Sequence, residues 1–293
     1  MIPSEIIHSL EKFFLSKGQS AFQISKENSL GGGSINQASK IESNYGHFFI
    51  KWNLREKFPK MFEKEAIGLN HLASTKAINI ATVVHHEELV QYSYLLLEWI
   101  ESSSPTPEFW KIFAQKMAAL HQHKFEKFGF EQDNFIGSLI QKNNWTADCS
   151  DFFWGQRIEP LLQKARNAGY ADRGDVQSFD NLYYKLDKII PEESPSLLHG
   201  DFWQGNFKVD SFGMPCLIDP ATYYGHREMD IAMSSLFSGF SPEFYQEYNT
   251  VYRLESDWDE RLDLWNLYPL LVHVNIFGES YMNELRRNVR RFM

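Results

Sequence analysis

Leu197-Leu198-His199-Gly200-Asp201-Phe202-Trp203-Gln204-Gly205-Asn206 is the stretch that decides how this 293-residue chain is read. Two apolar residues ahead of His-Gly-Asp predict a short buried strand that runs into a tight loop. Five residues beyond Asp201, Asn206 offers an amide oxygen able to ligate a metal. Phe207-Lys208-Val209, a turn at Asp210-Ser211-Phe212-Gly213, and Cys216-Leu217-Ile218 then read as a hairpin that carries Asp219 back beside Asn206. His-Gly-Asp alone would suit an ordinary turn, because Gly and Asp dominate turns. With Asn206 and Asp219 at these spacings it reads as a site for phosphoryl transfer. There the protein mostly positions groups and neutralises charge: one carboxylate takes the proton of an attacking hydroxyl, and an amide with a second carboxylate holds magnesium. Asp201 is the expected base, and Asn206 and Asp219 are the expected Mg²⁺ ligands.

Upstream, Leu30-Gly31-Gly32-Gly33-Ser34-Ile35-Asn36 precedes predicted strands at Ala38–Ile41 and His47–Trp52. Glycines let a backbone approach phosphates and turn its N–H groups toward them, so Gly32, Gly33 and Ser34 are expected to cover a nucleotide. Three glycines are equally a flexible hairpin turn, and they gain meaning from Lys51, which lies on a strand where a kinase places its phosphate-pairing lysine. In the helix that follows, Phe62, Ala66, Leu69 and Leu72 form one apolar stripe. At about 100° per residue Glu65 falls inside it and Glu63 points away. A carboxylate on an apolar face needs a cation, which makes Glu65 the expected partner of Lys51. Ile80–Val84 and Tyr92–Ile100 supply two further strands. Glu98, Trp99 and Ile100 stand where a kinase hinge offers backbone groups to adenine, and the linker Ser102–Pro107 follows. The predicted architecture is α+β and bilobal, a protein-kinase-like fold. Residues 1–101 form a small lobe of antiparallel sheet with one helix, and residues 102–293 a larger, mainly helical lobe with the catalytic loop and the acceptor site.

The apolar stripe Ile6, Ile7, Leu10, Phe13 and Phe14 predicts a helix packed on the first lobe, and Trp110, Phe113, Met117 and Leu120 a helix in the second. His121 and His123 do not match a zinc-binding His-Glu-x-x-His and are expected to be solvated or capping. Helices are predicted at Phe152–Ala168 and Val176–Ile190, separated by Gly169 and Gly174, and through Leu262–Tyr281. The polar segment Pro220–Asp230 predicts an internal network in which Asp230 steadies the catalytic loop. Arg286–Arg291 reads as the ordinary cationic end of a helix. With 43% hydrophobic residues the chain can furnish a sizeable core. A net charge of -9 argues against a general nucleic-acid binder. Cys149 and Cys216 match neither a disulfide framework nor a zinc site. No signal-peptide order and no apolar run near the roughly 20 residues that cross a bilayer are present. A cytoplasmic protein, monomeric or weakly dimeric, is expected, with no nucleic-acid or membrane partner.

The chain resembles the fructosamine kinase family over nearly its whole length. The resemblance rests on Leu-His-Gly-Asp-Phe-Trp-Gln-Gly-Asn (198–206), Ile-Asp-Pro-Ala-Thr-Tyr-Tyr-Gly-His-Arg-Glu-Met-Asp (218–230), Asp-Asn-Phe-Ile-Gly (133–137) and Gln-Arg-Ile-Glu-Pro-Leu (156–161). It implies transfer of the ATP γ-phosphate to the 3-hydroxyl of a ketosamine, either a small molecule or a glycated protein lysine. It also implies repair, since the 3-phosphate makes the adduct unstable and the amine is released. On that analogy Lys51 and Glu65 orient the ATP phosphates, Glu98 to Ile100 meet adenine, and Trp203 and His226 border the acceptor. Gly33-Ser34 offers no thiol, so thiol regulation at that loop is not supported. Two readings stay open beside this one: a phosphotransferase of the aminoglycoside or choline type, and a nucleotide-binding pseudokinase scaffold.

Overall fold

Even-numbered Phe48, Ile50 and Trp52 are buried on one side of a strand whose odd-numbered residues include Phe49 and Lys51, so the strand separates two apolar layers. In the computed structural model, which describes residues 1–18, 20–31, 35–237 and 239–293, this is the middle strand β3 (Gly46–Leu54) of a five-stranded sheet. With β1 (Ile24–Leu30), β2 (Gln37–Ser43), β5 (Val83–Glu88) and β6 (Tyr92–Glu98) it forms an antiparallel sheet in the order β1-β2-β3-β6-β5. Ile6, Leu10 and Phe14 of helix α1 (Ser4–Ser16) cover the Phe48, Ile50 and Trp52 face. Phe62, Ala66 and Leu69 of α2 (Met61–Ser74) cover the other, against Leu95 and Leu97. Lys51 shares the parity of Phe49 and so faces α2.

The expected strand at Ile80–Val84 is two strands. Asn79–Ile80 (β4) leaves the five-stranded sheet to pair in parallel with β11 (Pro215–Leu217), and Ala81 N–H donates to Leu217 O at 2.9 Å. β11 in turn pairs with β10 (Phe207–Val209) in the hairpin expected from sequence, Phe207 opposite Leu217. This three-stranded sheet bonds the N-terminal part of the chain to the catalytic hairpin. Two more pairs complete the strands: β7 (Asn134–Ile136) with β8 (Leu139–Gln141), and β9 (Ser196–Leu198) with β12 (Tyr223–Gly225).

The C-terminal part is built from α3 (Phe109–His121), α4 (Cys149–Phe152), α5 (Glu159–Asn167), α6 (Arg173–Tyr183), α7 (Leu186–Ile189), α8 (Glu228–Ser234), α9 (Pro242–Val251), α10 (Leu262–Trp265), α11 (Leu267–Phe277) and α12 (Met282–Arg290). The helix expected at Phe152–Ala168 contains a π-helical turn at Phe153–Ile158, which aims Arg157 inward between the rings of Phe152 and Tyr223. Gly174 does not separate helices but lies in the first turn of α6, started by a reciprocal capping box of Asp172 and Asp175. Arg286 is held by that same Asp175, through two hydrogen bonds of 2.7 and 2.8 Å. Among the described residues no helix is long and apolar enough to cross a membrane. Both cysteines are free and buried.

His121 is neither solvated nor capping. It is fully buried, its Nδ1 lies 2.7 Å from Tyr248 OH, and its Nε2 donates to Asp230 Oδ2 at 3.2 Å. The same Asp230 carboxylate accepts the N–H of His199 at 2.8 Å and of Gly200 at 2.9 Å, as expected of a residue that steadies the loop. Removing it strands two buried backbone donors and an imidazole. Asp230→Ala should therefore lower unfolding stability by about 3–5 kcal/mol, measured as the urea midpoint; a loss below about 1 kcal/mol would mean that the loop holds its shape without this carboxylate.

Candidate active site

A cleft of about 630 Å³ lies between the five-stranded sheet and the catalytic hairpin, and Lys51, Glu65, Trp99, Asp201, Trp203, Asn206 and Asp219 all line it. They arrive from five separate segments. Lys51 comes from β3, Glu65 from α2, Trp99 from the end of β6, and the other four from the loop after β9 and the strand end after β11.

Gly200 sets the loop. Its φ is +81°, and a Cβ there would fall 2.1 Å from Ala221 O, so only glycine fits between the loop and the segment after Asp219. His199 ties the same two segments together. Its Nε2–H donates to Ile218 O at 2.9 Å, and its Nδ1 accepts the Asp201 N–H at 3.3 Å. Burial holds this imidazole below its ordinary pKa, hence neutral, as that tautomer requires. Asn206 spends its amide N–H groups on Asp201, 2.8 Å to the carbonyl and 2.7 Å to Oδ2, which leaves Oδ1 as its free ligand atom. Ile218 N–H donates to Asn206 O at 3.0 Å and so seats Asp219 beside Asn206. Asp219 itself has φ +51°, a left-handed conformation that Asp tolerates better than most residues.

Lys51 Nζ lies 2.7 Å from Glu65 Oε1 and 2.6 Å from Asp219 Oδ1. Burial opposes its charge, yet the two carboxylates hold its pKa above the ordinary range. Burial likewise works to raise Asp219, but the Lys51 charge and hydrogen bond outweigh it and hold that carboxyl below its usual range. Among the described residues Asp201 has no such cation. Burial pushes it up to about 7, against the pull of the Asn206 amide and, more weakly, the Trp203 indole. Two carboxyls in one cleft are thus driven in opposite directions, the pattern of a base and a charged ligand.

One sequence expectation falls on residues that the structure does not describe, and two come out differently. Gly32, Gly33 and Ser34 lie outside the described residues, though their neighbours Gly31, Ile35 and Asn36 line the cleft. Of the three expected hinge residues only Trp99 lines it; Glu98 is exposed, and its N–H donates to Thr82 O, while Trp99 N–H donates to His47 O. Ladder bonds therefore consume two of the three donors. His226 is not a cleft residue: it is 1% exposed and its ring stacks on Trp265, 4.9 Å away, because the Tyr-Tyr-Gly run ahead of it pairs as β12 and turns it into the core. Asn134, Phe135 and Gly137 form a wall that residue chemistry did not single out. Asn134 Nδ2 donates to Thr222 O at 2.8 Å, and Lys64 Nζ donates to Asp133 O at 2.5 Å, so β7 ties α2 to the segment after Asp219. The block 133–137 was the available signal.

The fructosamine kinase family model matches residues 6–293. This chain belongs to the fructosamine kinase family. Similar family members include a protein of Enterococcus faecium that carries the name probable ketoamine kinase, 38% identical over 89% of this chain and 93% of the relative. Another, from Arabidopsis thaliana, is named protein-ribulosamine 3-kinase, chloroplastic, and is 37% identical over 93% of this chain and 83% of the relative. A crystal structure from Haemophilus somnus, named after fructosamine-3-kinase, is 31% identical, covers 97% of this chain and 96% of its own, and superposes with a TM-score of 0.88. The aminoglycoside phosphotransferase APH(4)-Ia in complex with ADP and hygromycin B, at 19% identity, covers 97% of this chain and 98% of its own with a TM-score of 0.64, which shows a shared kinase-like bilobal fold.

The family site also fits a hard divalent cation. Asp219 is held ionised, Asn206 keeps a free amide oxygen, and Mg²⁺ takes few protein oxygens because substrate phosphates and water complete its octahedron. Without a nucleotide, Lys51 is the cation that keeps Glu65 and Asp219 compatible. Lys51→Met leaves the nearly buried Glu65 and the partly exposed Asp219 without their cation, which raises their folded-state pKa values. The deficit in unfolding stability should be about 2–4 kcal/mol near pH 8 and shrink as pH falls toward 5 and the carboxyls take up protons. Urea titrations of both proteins across that range check it; a deficit independent of pH would show that lost packing, not charge, is responsible.

Proposed function

We propose that this chain uses ATP and Mg²⁺ to phosphorylate the 3-hydroxyl of ketosamines, such as fructosamine or ribulosamine adducts of small amines or protein lysines. It thereby serves deglycation repair. The observation that carries this reading is the convergence of Asp201, Asn206 and Asp219 in one cleft, with Asn206 bonded to Asp201, Lys51 bonded to Asp219 and Trp203 beside them, in a member of this family. In this reading residues 1–101 bind the nucleotide and residues 102–293 carry the catalytic loop and the acceptor. The cytoplasm, a reducing compartment, suits the two free buried cysteines; the plant relative's name places that protein in the chloroplast.

Asp201, uncompensated by any cation and raised toward neutrality, accepts the proton of the attacking hydroxyl. Asn206 holds the Asp201 carboxylate in place through Nδ2 and presents Oδ1 to the magnesium, with Asp219 as its anionic partner ligand. Bound Mg²⁺ would neutralise charge on the β- and γ-phosphates. Lys51, already positioned by Glu65, exchanges its contact with Asp219 for the phosphates. The Trp203 indole lies flat over Gly205, where a Cβ would meet it at 2.4 Å, and gives the acceptor sugar an apolar face to pack on.

ATP consumption with fructosyl- and ribulosyl-amines, compared with choline and aminoglycosides, tests the substrate class directly; turnover confined to the latter two would overturn it. Asp201→Asn should lower turnover by about 10²–10⁴ while leaving Mg·ATP binding nearly intact. Asp219→Asn should shift the magnesium dependence to higher concentration as well as slow the reaction. If a Mg²⁺ titration shifts for Asp201→Asn and not for Asp219→Asn, these two assignments are wrong. Trp203→Ala should raise the ketosamine KM more than the ATP KM, and the reverse pattern would place the indole against the nucleotide.

A further inference from the structure

Beyond Trp203 the aromatic surface does not stop. The Phe237 ring stands edge-on to the Trp203 indole with centroids 6.3 Å apart. His273 lies 4.8 Å from Phe237, Tyr281 lies 5.0 Å from His273, and Phe277 lies 5.5 Å from His273. This ledge is solvent-facing: Phe237 is 41% and Phe277 52% exposed, an unusual disposition for large apolar residues that lie in contact with other rings rather than scattered singly. It is also held in shape. His273 Nδ1–H donates to Pro269 O at 2.7 Å, which fixes the imidazole plane, and Phe237 adopts φ +52°, a left-handed conformation that is a genuine outlier for a bulky residue. Strain of this kind persists only where the surrounding structure imposes it. Here it turns the Phe237 ring toward Trp203.

We infer that this ledge is the subsite for the amine side of the acceptor, and that it selects ketosamines whose nitrogen carries an extended apolar chain, such as an alkyl or aryl group or the four-carbon stem of lysine. The inference rests on the ketosamine reading of the cleft. In a ketosamine the nitrogen is bonded to C1, two carbons from C3. With the 3-hydroxyl at Asp201 and the sugar against Trp203, the substituent on nitrogen must leave the cleft within a few ångströms of the indole, and the aromatic surface continuous with Trp203 is this ledge. Its chemistry suits the occupant. The nitrogen is a secondary amine that carries a proton near neutral pH, and aromatic faces attract an ammonium group while covering the carbons attached to it. None of the five ring-bearing residues carries a carboxylate or a fixed positive charge.

The test compares kcat/KM for the fructosyl adducts of methylamine and of hexylamine, in the unaltered protein and in Phe237→Ala and Phe277→Ala. Hexylamine's adduct should be preferred by about tenfold, the effect of burying roughly two methylene groups. Both substitutions should bring the ratio toward one, with the change in the ketosamine KM and not in the ATP KM. Thermal melting separates this from misfolding, since both side chains are substantially exposed and their truncation removes little core. Equal kcat/KM for the two adducts in the unaltered protein, or a ratio that both variants leave at its original value, would overturn the subsite. Failure to phosphorylate either adduct would instead remove the ketosamine reading on which it stands.

Discussion

Two hydrogen bonds from backbone to a buried carboxylate hold the cleft loop of this protein in register. Asp230, at the start of α8, accepts the N–H groups of His199 and Gly200 through its two oxygens. Those bonds fix the loop at the point where β9 ends. Everything that must converge in the cleft hangs from that point: His199 reaches Ile218, Asp201 receives Asn206, and Asn206 receives Ile218. The anchor is itself anchored, since α8 also carries Glu228, which accepts from Arg261 and from the Trp265 indole in the core. A carboxylate this deep is tolerated because its lone pairs are satisfied by donors.

The cleft separates the roles of two aspartates with one lysine. Lys51 is placed by sheet parity on the α2 face, where Glu65 keeps it extended toward Asp219. Because the cation serves Asp219 and not Asp201, burial acts unopposed by charge on Asp201 alone. Charge placement, not residue type, drives the two carboxyl pKa values in opposite directions. The aromatic groups divide similarly. Phe113, Phe202, Phe207, Phe240 and Phe244 pack together beneath the hairpin and give it a rigid floor, whereas Trp203 and Phe237 turn their rings to the open side.

Local chemistry made the catalytic hairpin legible. The spacing of Asp201, Asn206 and Asp219 implied a turn that returns one carboxylate to the other, and β10 and β11 pair in that register. Helical periodicity was equally informative for Glu65 over Glu63, because an inward carboxylate on an apolar stripe demands a cation. The strand at Ile80–Val84 was misread because composition cannot show that a strand changes sheets. The break appears only when Ala81 finds Leu217 as its acceptor. His226 was misassigned for a related reason: a polar residue next to a catalytic segment looks functional until β12 pairing turns it inward against Trp265.

By itself, then, the sequence determined the family and the kinase-like fold, and it brought forward Lys51, Glu65, Asp201, Asn206 and Asp219, which the structure gathers in one cleft, since short-range periodicity and turn geometry are local properties of the chain. It also placed a glycine in the tight turn at His-Gly-Asp. Only the tertiary structure decided why: the Gly200 Cα is pressed against Ala221 O from a segment 21 residues on. The same holds for the wall from Asn134 to Gly137, for the buried His121 that helps carry Asp230, and for the ring-to-ring continuity of Trp203 with Phe237 and α11. Each depends on contacts between residues far apart in the chain, and those exist only after burial has chosen which surfaces meet.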